Sequence, residues 1–443
     1  MDHQQETSII MRILWLLLMV GVWSAPLSAS SVHTIRITTE ASQHGLPIAI
    51  VPFTWEVPGR SPPEDVAAVV RNNLERSGRF KAMPPGDMLA RPRSAEEVNF
   101  ADWRILNMEN LVVGRIEAGG SDEFQVTFQL LDVGKQEQIT GYRFNTNRQD
   151  LRATAHHISD IIFERLTGER GAFSTRIAYI TSLNEGTSNH RLTLTVADAD
   201  GHNPQTIIES SEPLMSPTWS PDGRRLAYVS FENRRPGIWI QEIFTGRRTQ
   251  VTSFTGINGA PAWSPDGRLL AMTLSKEGSP DIFVFDLERS TLRALTRHFA
   301  IDTEPAWSPD GKQIIFTSDR GGGPQIYQIP SSGGEPKRLT FEGPYNARAS
   351  YSPDGRLLTY VTRVGRNFRI AVQDLRNNQV RVLTDGRLDE SPSFSPNGKM
   401  IIYATRVDGK GELAAVSTDG RVRQRLALQR GDVREPVWSP YTR

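Results

Sequence analysis

The chain has 443 residues, a net charge of +1, 38% hydrophobic content and no cysteine. That length suggests more than one domain, and a charge so close to zero argues against a nucleic-acid-binding protein, which would show a strongly basic face. Without cysteine there are no disulfides, no thiolate metal site and no lipidation cysteine, so stability must come from a packed core.

In chain order, the first feature is ILWLLLMVGVW, from Ile13 to Trp23, an apolar run of eleven residues. It is too short to span a bilayer comfortably. Arg12 precedes it, and SAPLSAS follows with the small residues a signal peptidase needs, so residues 1–29 read as a secretory signal peptide cleaved after Ala29. Asp2 and Glu6 do not suit a positively charged leader, which places the true start at Met11. The mature protein is expected to be exported and soluble, with no direct membrane insertion.

Residues 30–172 read as a small α/β domain. VHTIRITT, from Val32, is short and β-prone; it is either an edge strand of this domain or a loose segment that adds to a partner's sheet. IAIVPF (from Ile48) is a buried-strand candidate, and PEDVAAVVRNNLERSG (from Pro63) an amphipathic helix with Val66, Val69, Val70 and Leu74 on one face. LVVGRIE (from Leu111) and FQVTFQLLDV (from Phe124) alternate as strands, and 150–166 closes the domain as a helix. His156 and His157 are adjacent on that helix and point to different faces, which gives no metal-ligand pattern.

From about residue 173 the chain repeats itself. PTWSPDG begins at Pro217, PAWSPDG at Pro261 and again at Pro305, ASYSPDG at Ala349, PSFSPNG at Pro392 and PVWSP at Pro436. The motif aromatic is Trp219, Trp263, Trp307, Tyr351, Phe394 and Trp438, in steps of 44, 44, 44, 43 and 44. A catalytic serine is needed once per site and a structural unit once per repeat, so the spacing argues for architecture over catalysis at Ser220, Ser264 or Ser308. Pro-Asp-Gly supplies turn chemistry. The flanking runs supply four antiparallel strands per repeat, the pattern of a β-propeller. The motif aromatics are expected at the seams between blades.

The last motif has no strands after it, and the run RIAYITS (from Arg176) lacks a motif strand of its own. Pairing the two gives a six-bladed all-β propeller over 173–443, closed by the C-terminal strand with no raw sheet edge at the join. Arg224, Arg225, Arg234, Arg235, Arg247 and Arg248 concentrate positive charge in the first full repeat, read either as a solvated blade edge or as a contact for an anionic partner.

A cleavable leader, an α/β domain with IAIVPF, then GAFSTRIAYI, PLMSPTWSPDG, NGAPAWSPDG, TEPAWSPD and a terminal EPVWSPY together resemble the TolB family of the bacterial Tol–Pal system. The resemblance covers essentially the whole mature chain. It implies a monomeric periplasmic protein without enzymatic activity or cofactor, which supports outer-membrane integrity and the inward draw of that membrane at division. Its implied partners are the peptidoglycan-associated lipoprotein Pal and other outer-membrane lipoproteins at the propeller mouth, and the inner-membrane protein TolA at the N-terminal segment.

On this chain the N-terminal contacts fall on Val32, Ile35, Arg36 and Ile37, and the mouth contacts on loop residues that the repeat does not constrain. These are Met215, Asn258, Asp302, Thr303, Glu304, Arg348, Asp389 and Glu390. The residues just before each motif are Ser216, Ala260, Glu304, Arg348, Ser391 and Glu435, a mixture unlike a ring of metal ligands. Ile257 is apolar where the family leads one to expect a polar residue. The alternative is a calcium-dependent lactonase of the six-bladed type, for which Glu304, Glu390 and Glu435 would have to meet in the channel. A propeller-capped serine peptidase would need G-x-S-x-G, which the chain lacks.

Overall fold

The computed structural model describes residues 45–120, 122–426 and 431–441, together with the backbone of a strand at Ile35–Thr39. The expected leader, the start at Met11 and Val32 lie outside the described residues. Among the described residues, no helix is long and apolar enough to cross a membrane.

Strand β1 (Ile35–Thr39) is followed by β2 (Leu46–Ile50), β3 (Thr54–Glu56), β4 (Phe80–Ala82), β5 (Asn110–Ala118), β6 (Glu123–Asp132) and β7 (Glu137–Asn147). The last six form one sheet in the order β4-β2-β5-β6-β7, with β3 also on β5; β2 runs parallel to β4 and β5, whereas β5, β6 and β7 are antiparallel. Side chains alternate across the sheet, as the period of two requires. Ile48, Ile50, Val112 and Phe128 pack on one face, and Ala49, Val51, Leu111 and Val113 on the other.

Helices α1 (Val66–Arg76), α2 (Phe100–Ile105) and α3 (Leu151–Thr167) cover these faces. Asp65 caps α1 by accepting from Ala68 N at 3.0 Å, and the apolar stripe Val66, Val69, Val70 and Leu74 is buried, as its spacing predicts. Helix α3 ends where Gly168 takes φ 74°, a left-handed C-cap. The sequence reading missed β7 altogether; its side chains are mostly half-buried or exposed, so it lacks an apolar signature.

Six four-stranded blades follow. Blade 2 spans 214–252, blade 3 258–294, blade 4 302–338, blade 5 346–382 and blade 6 390–426. Blade 1 takes three strands from 176–210, and its fourth is Asp432–Trp438, antiparallel to Arg176–Leu183. The ring is therefore closed by the C-terminal strand.

The motif aromatics lie at the seams: Trp219 Nε1 donates to Val437 O of blade 1 at 3.2 Å, and Trp307 Nε1 to Ala262 O of blade 3 at 3.1 Å. Trp263 is buried among Ala227 and Ile238 of blade 2 and Leu270 and Met272 of its own blade.

β1 does not belong to the α/β sheet. It pairs antiparallel with Val422–Leu426, the outer strand of blade 6, in the register Ile35↔Leu426 to Thr39↔Val422. The reading of this segment as an edge strand of the α/β domain is therefore corrected; the edge it joins belongs to the propeller.

Candidate functional site: the propeller mouth and channel

Each inner strand carries a β-bulge at the same place. Register shifts fall at Met215/Thr218, Gly259/Ala262, Thr303/Ala306, Ala347/Ser350, Glu390/Ser393 and Arg434/Val437. The bulged residues Ser216, Ala260, Glu304, Arg348, Ser391 and Glu435 all have φ between 46° and 57°. L-residues avoid that region, and none of the six is glycine, so every blade stores a little strain where the chain is turned toward the axis. These residues and their neighbours line a channel cavity of about 190 Å³.

The bulges also stitch blade to blade. Ser216 N donates to Glu435 Oε2 at 2.5 Å, Glu304 N to Thr273 Oγ1 at 3.3 Å and Arg348 N to Thr317 Oγ1 at 3.0 Å. Arg348 Nη2 reaches Glu435 Oε2 at 3.0 Å. Burial works against the Arg348 charge, but Glu435, Glu304 and Glu390 together hold its guanidinium above the ordinary value. Glu304 Oε2 in turn accepts from Thr317 Oγ1 at 3.0 Å.

The eight mouth residues expected from sequence divide into two kinds. Met215 is exposed, and Thr303, Glu304, Arg348 and Glu390 are half-buried around the channel. Asn258, Asp302 and Asp389 are buried and hold the loops together. Asn258 bonds the backbone of Phe254 and Gly256, Asp302 Oδ2 pairs with Arg320 Nη2 at 2.6 Å, and Asp389 accepts from Thr405 Oγ1 at 2.6 Å and from Gly386 N at 3.1 Å. Short polar side chains in tight loops bond their own backbone first. Glu304, expected on a loop that the repeat does not constrain, sits in the channel wall, and Arg348 pairs with Glu435. The N-terminal candidates Ile35, Arg36 and Ile37 lie on β1, whose backbone is paired with blade 6.

Sequence reasoning singled out Ile257 but missed the other exposed apolar residues near it. Phe299 is 89% exposed and Phe341 73%, and Phe254, Ile257 and Ile301 are exposed as well. They lie in the connections that enter blades 3, 4 and 5. Each of those connections contains a phenylalanine, at 254, 299 and 341, which was the available signal.

At the other end of the strands, the motif serines are occupied. Ser264 Oγ donates to Asp266 Oδ1 at 2.5 Å and accepts from Leu269 N at 2.9 Å; Ser308 and Ser352 repeat this with Asp310 and Asp354. The repeated serine staples a turn.

A second cluster was also missed. His156 on α3 faces Asp198 and Asp200 of blade 1, with ligand atoms within 4.8 Å of one another. The aspartates are more than forty positions away in sequence, beyond the reach of any spacing rule.

Residues 163–442 match the family described as the TolB beta propeller domain, and residues 33–139 the TolB amino-terminal domain. The chain is 61% identical over 417 residues to the Tol–Pal system protein TolB of Thioalkalivibrio sulfidiphilus, covering 94% of this chain and 95% of that protein. It is 60% identical over 427 residues to the protein of the same name from Nitrosococcus oceani, covering 96% and 97%. Among solved structures, TolB from Acinetobacter baumannii is similar with a TM-score of 0.84 and 42% identity, over 92% of this chain and 99% of that one.

Proposed function

Because the chain belongs to the TolB family of the Tol–Pal system, we propose that it is a periplasmic binding component that catalyses no reaction. It takes the lipoprotein Pal at the propeller mouth and TolA through its N-terminal segment, in support of outer-membrane integrity and invagination during division. The observation that carries this reading is the mouth itself: half-buried charge at Glu304 and Arg348 in the channel wall, with exposed Phe299, Phe341 and Met215 in or next to the connections that enter blades 4, 5 and 2. Apolar anchors around a polar centre are what a specific protein interface uses.

The N-terminal reading is supported by β1, a short strand that already adds to a sheet edge. While paired with Val422–Leu426 it uses one edge and becomes the outer strand of the blade 6 sheet, so another protein's strand can add to its second edge, or to both edges once it leaves blade 6. The lactonase alternative is weakened by Arg348, whose guanidinium sits on Glu435 where a divalent cation would need an open carboxylate. Calorimetry with the purified soluble domain of the lipoprotein tests the mouth. Phe299→Ala combined with Phe341→Ala is expected to weaken binding by about tenfold or more with an unchanged melting temperature. Unaltered affinity would move the partner off this face.

A further inference from the structure

The contact between the α/β domain and blade 1 contains a buried set of charges that partner binding at the mouth does not use. Arg152 on α3 places Nη2 2.5 Å from Asp200 Oδ2 and Nη1 3.2 Å from Glu64. Asp200 lies in the turn after the second strand of blade 1 and is 4% exposed. Arg76, at the end of α1, is also buried, lying over the Phe173 ring, and its carbonyl accepts from Gln424 of blade 6.

Between these charges lies His156, 3% exposed. Its Nδ1 accepts from Asn73 Nδ2 at 2.9 Å, and the same amide group donates to Ser159 Oγ at 2.9 Å. The ring proton is therefore on Nε2, which has no hydrogen-bond partner among the described residues and stands 3.6 Å from Asp200 Oδ2. A second proton would have to go on Nδ1, directly against the Asn73 amide hydrogens. The cluster offers a metal little, since Arg76 and Arg152 already supply cations to the same carboxylates.

We propose that His156 makes the docking of the α/β domain on blade 1 acid-sensitive, the interface closing on a neutral imidazole and loosening when that ring takes up a proton. Burial first, then the neighbouring Arg76, Arg152 and His202 against the pull of Asp200, holds the ring down to about 3. An exposed histidine titrates near 6.5. The undocked state therefore binds the proton first: docking is at full strength above pH ~6.5 and weakens as pH falls below it.

The other groups facing this ring set the useful window. Asp200 is held well below the carboxylate range despite its burial, by its hydrogen bond to His202 and by Arg76 and Arg152. Asp198 is pushed up by burial and by Asp200, so its protonation favours the docked state, the opposite effect to that of His156. Asp160, also raised by burial, accepts from Phe173 N and Ser174 N and holds the linker to α3.

Hydrogen exchange on the intact chain, corrected for intrinsic rates, tests the proposal between pH 7.5 and 5.5. Protection of the Ala199–His202 turn and of the first turns of α3 is expected to fall up to about tenfold per pH unit below ~6.5. His156→Gln, which does not titrate, is expected to flatten that dependence, while amides in blades 3 and 4 behave alike in both proteins. A parent protein with no pH dependence there, or a variant that keeps it, overturns the proposal. Should the variant fail to fold, the His156 ring is titrated by NMR in the unmodified protein: a midpoint below ~5 supports the device, and one near 6.5 removes it.

Discussion

Arg348 of blade 5 reaches Glu435, on the strand that closes blade 1, at 3.0 Å, so the charge at the channel mouth is answered across the ring and not along it. Glu435 is also the acceptor for Ser216 N of blade 2. One carboxylate thus ties the closing strand to blades on both sides. Arg348→Glu would leave Glu304, Glu390 and Glu435 facing a further carboxylate. A fully buried pair broken in this way loses more, but a third of the Arg348 side chain meets water. The expected loss is about 1–3 kcal/mol, read as a lowered melting temperature that partly recovers in high salt.

Closure itself makes a stronger demand. Asp432–Trp438 is the fourth strand of blade 1, and Trp438 Nε1 donates to Thr175 Oγ1 at 2.8 Å just before the first propeller strand. Deleting 435–443 uncovers the edge of Arg176–Leu183 and empties part of a core that includes Ile177 and Trp438. A loss of at least about 3 kcal/mol is expected by denaturant titration. An unchanged transition would mean that the ring does not depend on this strand.

The motif separates into frame and staple. Trp263→Ala removes a 7% exposed side chain packed between two blades and is expected to cost about 3–5 kcal/mol. Ser264→Ala removes one donor and one acceptor from a turn, for about 1–2 kcal/mol, and is expected to leave partner binding intact. Paired thermal melts and binding titrations check both; a folded Ser264→Ala protein that binds nothing would revive a chemical role for the serine.

These relationships were legible to different degrees. Blades, seams and closure follow from a motif at near-constant spacing, because periodic local chemistry builds periodic structure. The bulge positions were visible as the residues before each motif, although their shared left-handed backbone was not, since Ser, Ala, Glu and Arg carry no sign of it. The pairing of Ile35 with Leu426 joins opposite ends of the chain and leaves no local trace. His156 looked inert beside His157 because what faces it, Asp200 and Arg76, comes from other elements. The burial of Asn258, Asp302 and Asp389 was not legible for a related reason: a polar residue in a variable loop has the same appearance whether it faces a partner or its own backbone.

That last distinction is open to direct measurement. Asp302 is fully buried against Arg320, so Asp302→Ala strands a charge and is expected to cost about 3–5 kcal/mol. Any loss of Pal binding then follows from the disordered loop. Glu304 lies two residues further on, half-buried in the channel wall, with one carboxylate oxygen held by Thr317. Glu304→Lys sets a second cation near Arg348, reverses the field at the mouth and is expected to weaken Pal binding about tenfold, with a melting temperature closer to the parent than that of Asp302→Ala. Calorimetry and thermal melts on the two variants together decide it. If Asp302→Ala stays fully stable and loses binding while Glu304→Lys binds normally, the contact runs through the loop and not through the channel wall.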